Sequence, residues 1–97
     1  MALKFIWTSQ AVKGFNKVID YLEAKWTAKE ILNLENKIQQ VINQISHNPE
    51  QFPKSEKSAS LHKAIVDKNN YLVYRVNKES NSVEIINFRG TKQKPKH

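Results

Sequence analysis

Two apolar stripes at helical spacing, with almost no linker between them, constrain this chain more than any other feature. Ala11, Phe15, Val18, Leu22 and Trp26, flanked by Val12 and Ile19, recur at three- and four-residue intervals and mark one face of a helix. A second stripe runs through Ile31, Leu34, Ile38, Val41, Ile42 and Ile45. Between them Thr27 and Glu30 form a T-x-x-E capping box, and Trp26 and Ile31 stand where a hydrophobic staple packs. The spacing predicts a first helix opened by an N-cap at Ser9. The second begins near Thr27 and stops near Ser46, where "SHNPEQFPKSEKS" brings two prolines and a polar cluster. Two helices with no slack between them fold back as an antiparallel hairpin. Gly14 sits inside the first stripe at a cost of about 1 kcal/mol relative to Ala; it is either simply tolerated or required by a close neighbour.

Outside the stripes the period changes to two. "LKFIW", 3–7, suits a buried first strand, and "SLHKAIV", "YLVYRV" and "SVEIINF" read as three more. "DKNN" and "NKESNS" separate the last three and are rich in turn-forming Asn, Asp and Ser. Short connections make those strands antiparallel neighbours. The expected fold is α+β, in the order β-α-α-β-β-β: a small antiparallel sheet with the helical hairpin packed on one face. The 97 residues are read as a single domain, 1–97, ending in a short basic tail at about 90–97.

A hairpin on one face leaves the other open. In "NYLVYRV" alternation sets Leu72, Tyr74 and Val76 toward the core and Tyr71, Val73 and Arg75 away from it. In the last strand, strict alternation opposes Glu84, Ile86 and Phe88 to Val83, Ile85, Asn87 and Arg89. Apolar residues in both sets leave its buried face open. Apolar character on an uncovered face suggests a partner in the working state. That face and the tail collect Lys63 or His62, Tyr71, Arg75, Arg89, Lys92 and Lys94. Each has a simpler role available: Lys63 as an edge-strand gatekeeper, Arg75 as the cross-strand partner of Glu84, Tyr71 as packing.

The net charge of +7 is unevenly spread. Residues 1–50 hold six lysines against five acids, while residues 51–97 hold ten Lys or Arg against four acids. A one-sided cationic surface attracts phosphate backbones or an acidic protein. There is no cysteine, so disulfides and thiolate metal sites are excluded. With two glycines there is no phosphate-binding loop, and no paired histidine motif would hold a metal. No cofactor is expected. No apolar run is long enough for a signal peptide or a membrane span, which suits a cytoplasmic protein. The enzymatic chemistry left open is metal-free phosphate cleavage, in which cationic and phenolic side chains help an RNA 2′-OH attack its neighbouring phosphate.

The ordered set "W-T-x-x-A" after the first strand, "NPEQFPKS" after the second helix, "YLVYRV", and "EIINFRGTKQKPKH" at the end resembles the RelE/ParE family of bacterial type II toxin–antitoxin toxins. The resemblance spans nearly the whole chain. It implies a compact growth-inhibiting toxin neutralised by a cognate antitoxin laid across its surface. RelE-like members cleave mRNA on the ribosome with Lys and Arg residues on the second, third and fourth strands and a Tyr near the C-terminus; ParE-like members inhibit DNA gyrase and lack that set. Matched on "LVY", His62 and Ala64 stand at the two second-strand lysine positions and Tyr71 at the third-strand arginine. Arg89 or Lys92 matches the later cation, and no tyrosine follows Tyr74. The pattern therefore favours a ParE-like toxin that acts by binding its target. A RelE-like endoribonuclease, with His62, Tyr71, Arg89 and Lys92 as candidate catalytic residues, is the alternative, and a non-toxic basic binding module the second.

Overall fold

The computed structural model describes residues 3–25, 28–55, 58 and 60–90. Its elements are β1 (Lys4–Trp7), α1 (Ser9–Lys25), α2 (Ala28–His47), β2 (His62–Asp67), β3 (Asn70–Asn77) and β4 (Ser82–Gly90). The order is the one expected. α1 ends and α2 begins on either side of Trp26 and Thr27, so the capping box and the staple lie outside the described residues. Lys92 and Lys94 lie outside them too. α2 buries Leu34, Ile38, Val41 and Ile45, four of the six residues of the second stripe.

The cap of α1 is Thr8 rather than Ser9. Thr8 Oγ1 accepts from the Ala11 amide at 3.2 Å, and the Thr8 carbonyl accepts the first helical bond from Val12. The hydroxyl hydrogen of Thr8 is directed to the Ile85 and Ile86 carbonyls, 2.9 and 3.0 Å away. One side chain thus starts the helix and ties it to the last strand, which gives W-T-x-x-A a physical meaning.

The sheet order is β1-β4-β3-β2. β2, β3 and β4 are antiparallel, as short turns demand. β1 differs from the all-antiparallel expectation and pairs in parallel with β4, Lys4 to Trp7 against Ser82 to Ile85. The short-turn rule never governed β1, whose next strand in the chain lies beyond both helices. The sheet is therefore mixed.

The last strand buries Val83, Ile85 and Phe88, a set that no strict alternation contains. Tyr74 faces Ile85 and Val73 faces Asn87, so Ile86 has no partner across the ladder. This β-bulge resets the parity once and keeps all three apolar side chains under the hairpin. Gly14 is required: a Cβ there would collide with the Phe88 carbonyl oxygen. The close approach lets Phe88 pack between Trp7 and Phe15, with ring centroids 6.3 and 5.5 Å away.

Candidate functional site

The uncovered face of the sheet carries three cross-strand rows set by the register. Ile65, Tyr71 and Arg89 form the first, Lys63, Val73 and Asn87 the second, and Arg75, Glu84 and Ile6 the third. Ile65 and Ile6 are 57% and 42% exposed, so apolar side chains stand uncovered on both edge strands. Lys63 Nζ lies 4.4 Å from the centre of the Tyr71 ring, a cation–π contact, and Arg89 is directly opposite Tyr71 across the ladder. Lys63, Tyr71 and Arg89 are thus brought together, with the phenol between two cations.

Arg75 is occupied. Its Nε donates to Glu84 Oε1 at 2.9 Å, and Nη2 bonds the same oxygen. The pair neutralises the third row, so the positive field of the open face comes from Lys63 and Arg89. Sequence reading placed Arg75 among the binding cations and also named Glu84 as its partner; the partner has it.

His62 is not on the open face. It is 5% exposed, on the helix side of β2 with Ala64, and its ring stacks on Tyr74 with centroids 5.0 Å apart. The Phe52 carbonyl lies 2.8 Å from its Nδ1 and can only accept, so Nδ1 carries a hydrogen. Nε2 faces Glu50 Oε1 at 3.9 Å. His62 and Tyr71 therefore project from opposite faces of the sheet and cannot act on one phosphate. The expectation that both belong to one catalytic set is corrected by the alternation of β2, which gives Lys63 and Ile65 to the open face and His62 and Ala64 to the core.

The N-P-x-x-F-P run is a clamp for this buried cluster. The Pro49 carbonyl accepts from Tyr74 Oη at 2.7 Å, and the Phe52 ring meets Tyr74 edge-on. The Pro53 carbonyl accepts from the Lys63 amide, and the Ser55 amide donates to the Leu61 carbonyl. The segment thereby covers the free edge of β2. Burial, and secondarily the charge of Glu50, push the Tyr74 phenol up to about 12, against the pull of a backbone hydrogen bond from Phe52.

Among the described residues no cluster of three His, Asp or Glu side chains could hold a metal ion, and no helix is long and apolar enough to cross a membrane. Sequence reading missed Ile6 and Ile65 as open-face residues. The phase of β2 would have found Ile65, because Lys63 and Ile65 share a parity.

A helical hairpin behind a four-stranded mixed sheet is a fold that this chain shares with solved RelE and YoeB toxins. The chain superposes on a YoeB/ParE toxin from Agrobacterium tumefaciens with a TM-score of 0.66 and 17% identity, covering 91% of this chain and 98% of that one. The isolated E. coli RelE toxin gives 0.66 and 14% over 97% of this chain and 89% of that one. A chain of the Mycobacterium tuberculosis RelBE2 toxin–antitoxin complex gives 0.62 and 16%, over 93% and 99%. At such identities the likeness is one of fold. No curated protein matches the chain by sequence. Residues 5–95 match the family described as the ParE toxin of type II toxin–antitoxin system, parDE. The chain belongs to this family and is a type II toxin.

Proposed function

We propose that this toxin inhibits growth by binding its cellular target rather than by cutting RNA, with DNA gyrase the expected target, and that a cognate antitoxin neutralises it by covering the open face. The carrying observation is the burial of His62 on the far side of the sheet. Cleavage of a phosphodiester needs positioned proton donors and acceptors. On the open face Glu84 is held by Arg75, and Tyr71 stands between cations with no imidazole near it among the described residues. Such a surface is suited to an acidic or phosphate-bearing partner through its charge, and to an apolar contact on that partner through the exposed Ile6 and Ile65.

The test is purified toxin in two assays, gyrase-dependent DNA supercoiling and cleavage of mRNA on programmed ribosomes. Inhibition of the first without activity in the second is the expected outcome, and Tyr71→Phe should leave it nearly intact because no proton is transferred. Ribosome-dependent cleavage that falls about 10²- to 10⁴-fold on Tyr71→Phe would replace this reading with the RelE-like one. That alternative has one observation in its favour, the Lys63–Tyr71–Arg89 cluster, whose cations could hold a phosphodiester against the phenol. Normal growth of cells expressing the chain alone would leave only a basic binding module.

A further inference from the structure

We propose that a pocket on the flank of the helical hairpin binds a small organic cation, an alkyl- or arylammonium ion. The pocket has a volume of about 340 Å³ and is formed where Trp7 of β1, Val12 and Phe15 of α1, and Glu35 and Ile38 of α2 meet. Trp7 follows Ile6 in β1, so alternation directs it away from the open face and toward the hairpin. Val12 and Phe15 lie one turn apart on α1, as do Glu35 and Ile38 on α2, and each helix therefore offers two side chains to the same opening. Ile38 is buried, Trp7 and Phe15 are half-buried, and Val12 is 41% exposed. The recess is thus apolar, open to solvent and within the size range of small-ligand sites.

The lining decides the charge of the occupant. Among the described residues Glu35 is the one polar side chain that borders the pocket, and it has no ion-pair partner there. The residues one turn from it along α2 are Ile31, Leu32, Ile38 and Gln39, so its own helix supplies no cation to fold over it. A neutral apolar ligand would take water from this carboxylate without replacing it, and an anion would be repelled. An ammonium group answers the charge. It also gains from the aromatic lining: Trp7 and Phe15 meet edge-on, with centroids 5.9 Å apart and planes inclined by 67°. Two rings so inclined offer π faces in two directions, and an indole face attracts cations most strongly. Val12 and Ile38 then receive the apolar body of the ligand.

The proposal is independent of which cellular target the toxin has, because the pocket opens on the helix side of the sheet, away from Lys63 and Tyr71. Its test is amide NMR of the full-length chain titrated with benzylammonium, and separately with benzyl alcohol and benzoate as neutral and anionic probes of similar shape. Benzylammonium should shift the Trp7, Phe15, Glu35 and Ile38 amides with a Kd on the order of 1 mM. It should bind about fivefold more tightly than benzyl alcohol, the combined effect of an exposed ion pair and a cation–π contact, while benzoate leaves those amides unmoved. Glu35 is exposed, so Glu35→Gln should fold; it should weaken benzylammonium about threefold, the worth of one exposed ion pair, and leave benzyl alcohol unchanged. Benzyl alcohol binding as tightly as the ammonium, or an ammonium affinity indifferent to Glu35→Gln, would overturn the proposal and leave only an apolar recess. Shifts confined to other surfaces of the protein would overturn it as well.

Discussion

Tyr74 sits where several constraints converge. It is fully buried, bonded to Pro49, stacked on His62 and edge-on to Phe52. Its folded phenol is pushed from 10.0 to about 12, chiefly by burial, so the unfolded chain ionises first as pH rises. The stabilising contribution of the neutral phenol is therefore whole below pH 10 and drains away between about 10 and 12. Tyr74→Phe should lose about 1 kcal/mol at neutral pH, the worth of one hydrogen bond, and should flatten the fall of Tm with pH in that alkaline window. An alkaline slope equal to the wild type's would mean that the phenol is not the group responsible. Gly14 makes a second case. Gly14→Ala should gain about 1 kcal/mol of helix propensity but force a methyl group against the Phe88 carbonyl, an overpacking cost of about 1–3 kcal/mol. Because the obstacle is backbone and cannot swing aside, a net drop in denaturant midpoint is expected; a rise would show that α1 can ride outward freely.

At the scale of elements, much of the fold was open to reading because local chemistry and burial agree there. The stripes of α1 and α2, the "DKNN" and "NKESNS" turns, and the core set Leu72 and Tyr74 all follow from period and turn residues. Asp67 Oδ1 accepts from the Asn69 amide, and Asn81 takes a positive φ of 53°, which is what those residue types supply in turns. Three features were not open to it, each decided by contacts distant in sequence. β1 chooses β4 as a parallel neighbour across the whole hairpin. The cap falls on Thr8 because Ile85 and Ile86 draw its hydroxyl. The bulge at Ile86 hides the phase of β4, since a period-2 reading has no way to skip one residue. The site was misread for a related reason: matching on "LVY" aligned letters, while the face of His62 is set by β2's own alternation. The bulge itself can be tested. Deleting Ile86 would leave Val83, Ile85 and Phe88 on the helix side in regular alternation, so the variant should still melt cooperatively, about 1–3 kcal/mol less stable. A chain that fails to fold without Ile86 would show that the bulge is needed for the Thr8 clamp and not only for parity.

Over the whole molecule the field is less one-sided than the charge count of the two halves suggests. Lys13 and Lys17 belong to the nearly neutral N-terminal half, yet the fold sets them beside Arg89. Lys78 is drawn toward Glu50, and Arg75 is spent on Glu84. Four cations with no ion pair among the described residues, Lys13, Lys17, Lys63 and Arg89, flank the end of β4, with Lys63 on one side of Arg89 and the α1 lysines on the other. A partner that covers this end must bring acids, and one that covers Ile6 and Ile65 must bring an apolar stripe. The neighbouring reading frame is accordingly expected to encode a small acidic antitoxin that copurifies with the toxin at moderate salt. Replacing Arg89 and Lys63 with Ala should weaken that complex and reduce its dependence on salt, because long-range attraction between exposed charges is what salt screens. By sequence, four more charged or titratable residues, Lys92, Lys94, Lys96 and His97, follow directly from Gly90. If they extend the same field, truncation after Gly90 should slow antitoxin association and lower its salt sensitivity while leaving the melting temperature unchanged, since the described core ends at Phe88. Unchanged association and salt dependence after truncation would confine the binding charge to the sheet and α1, and the tail would then serve solubility alone.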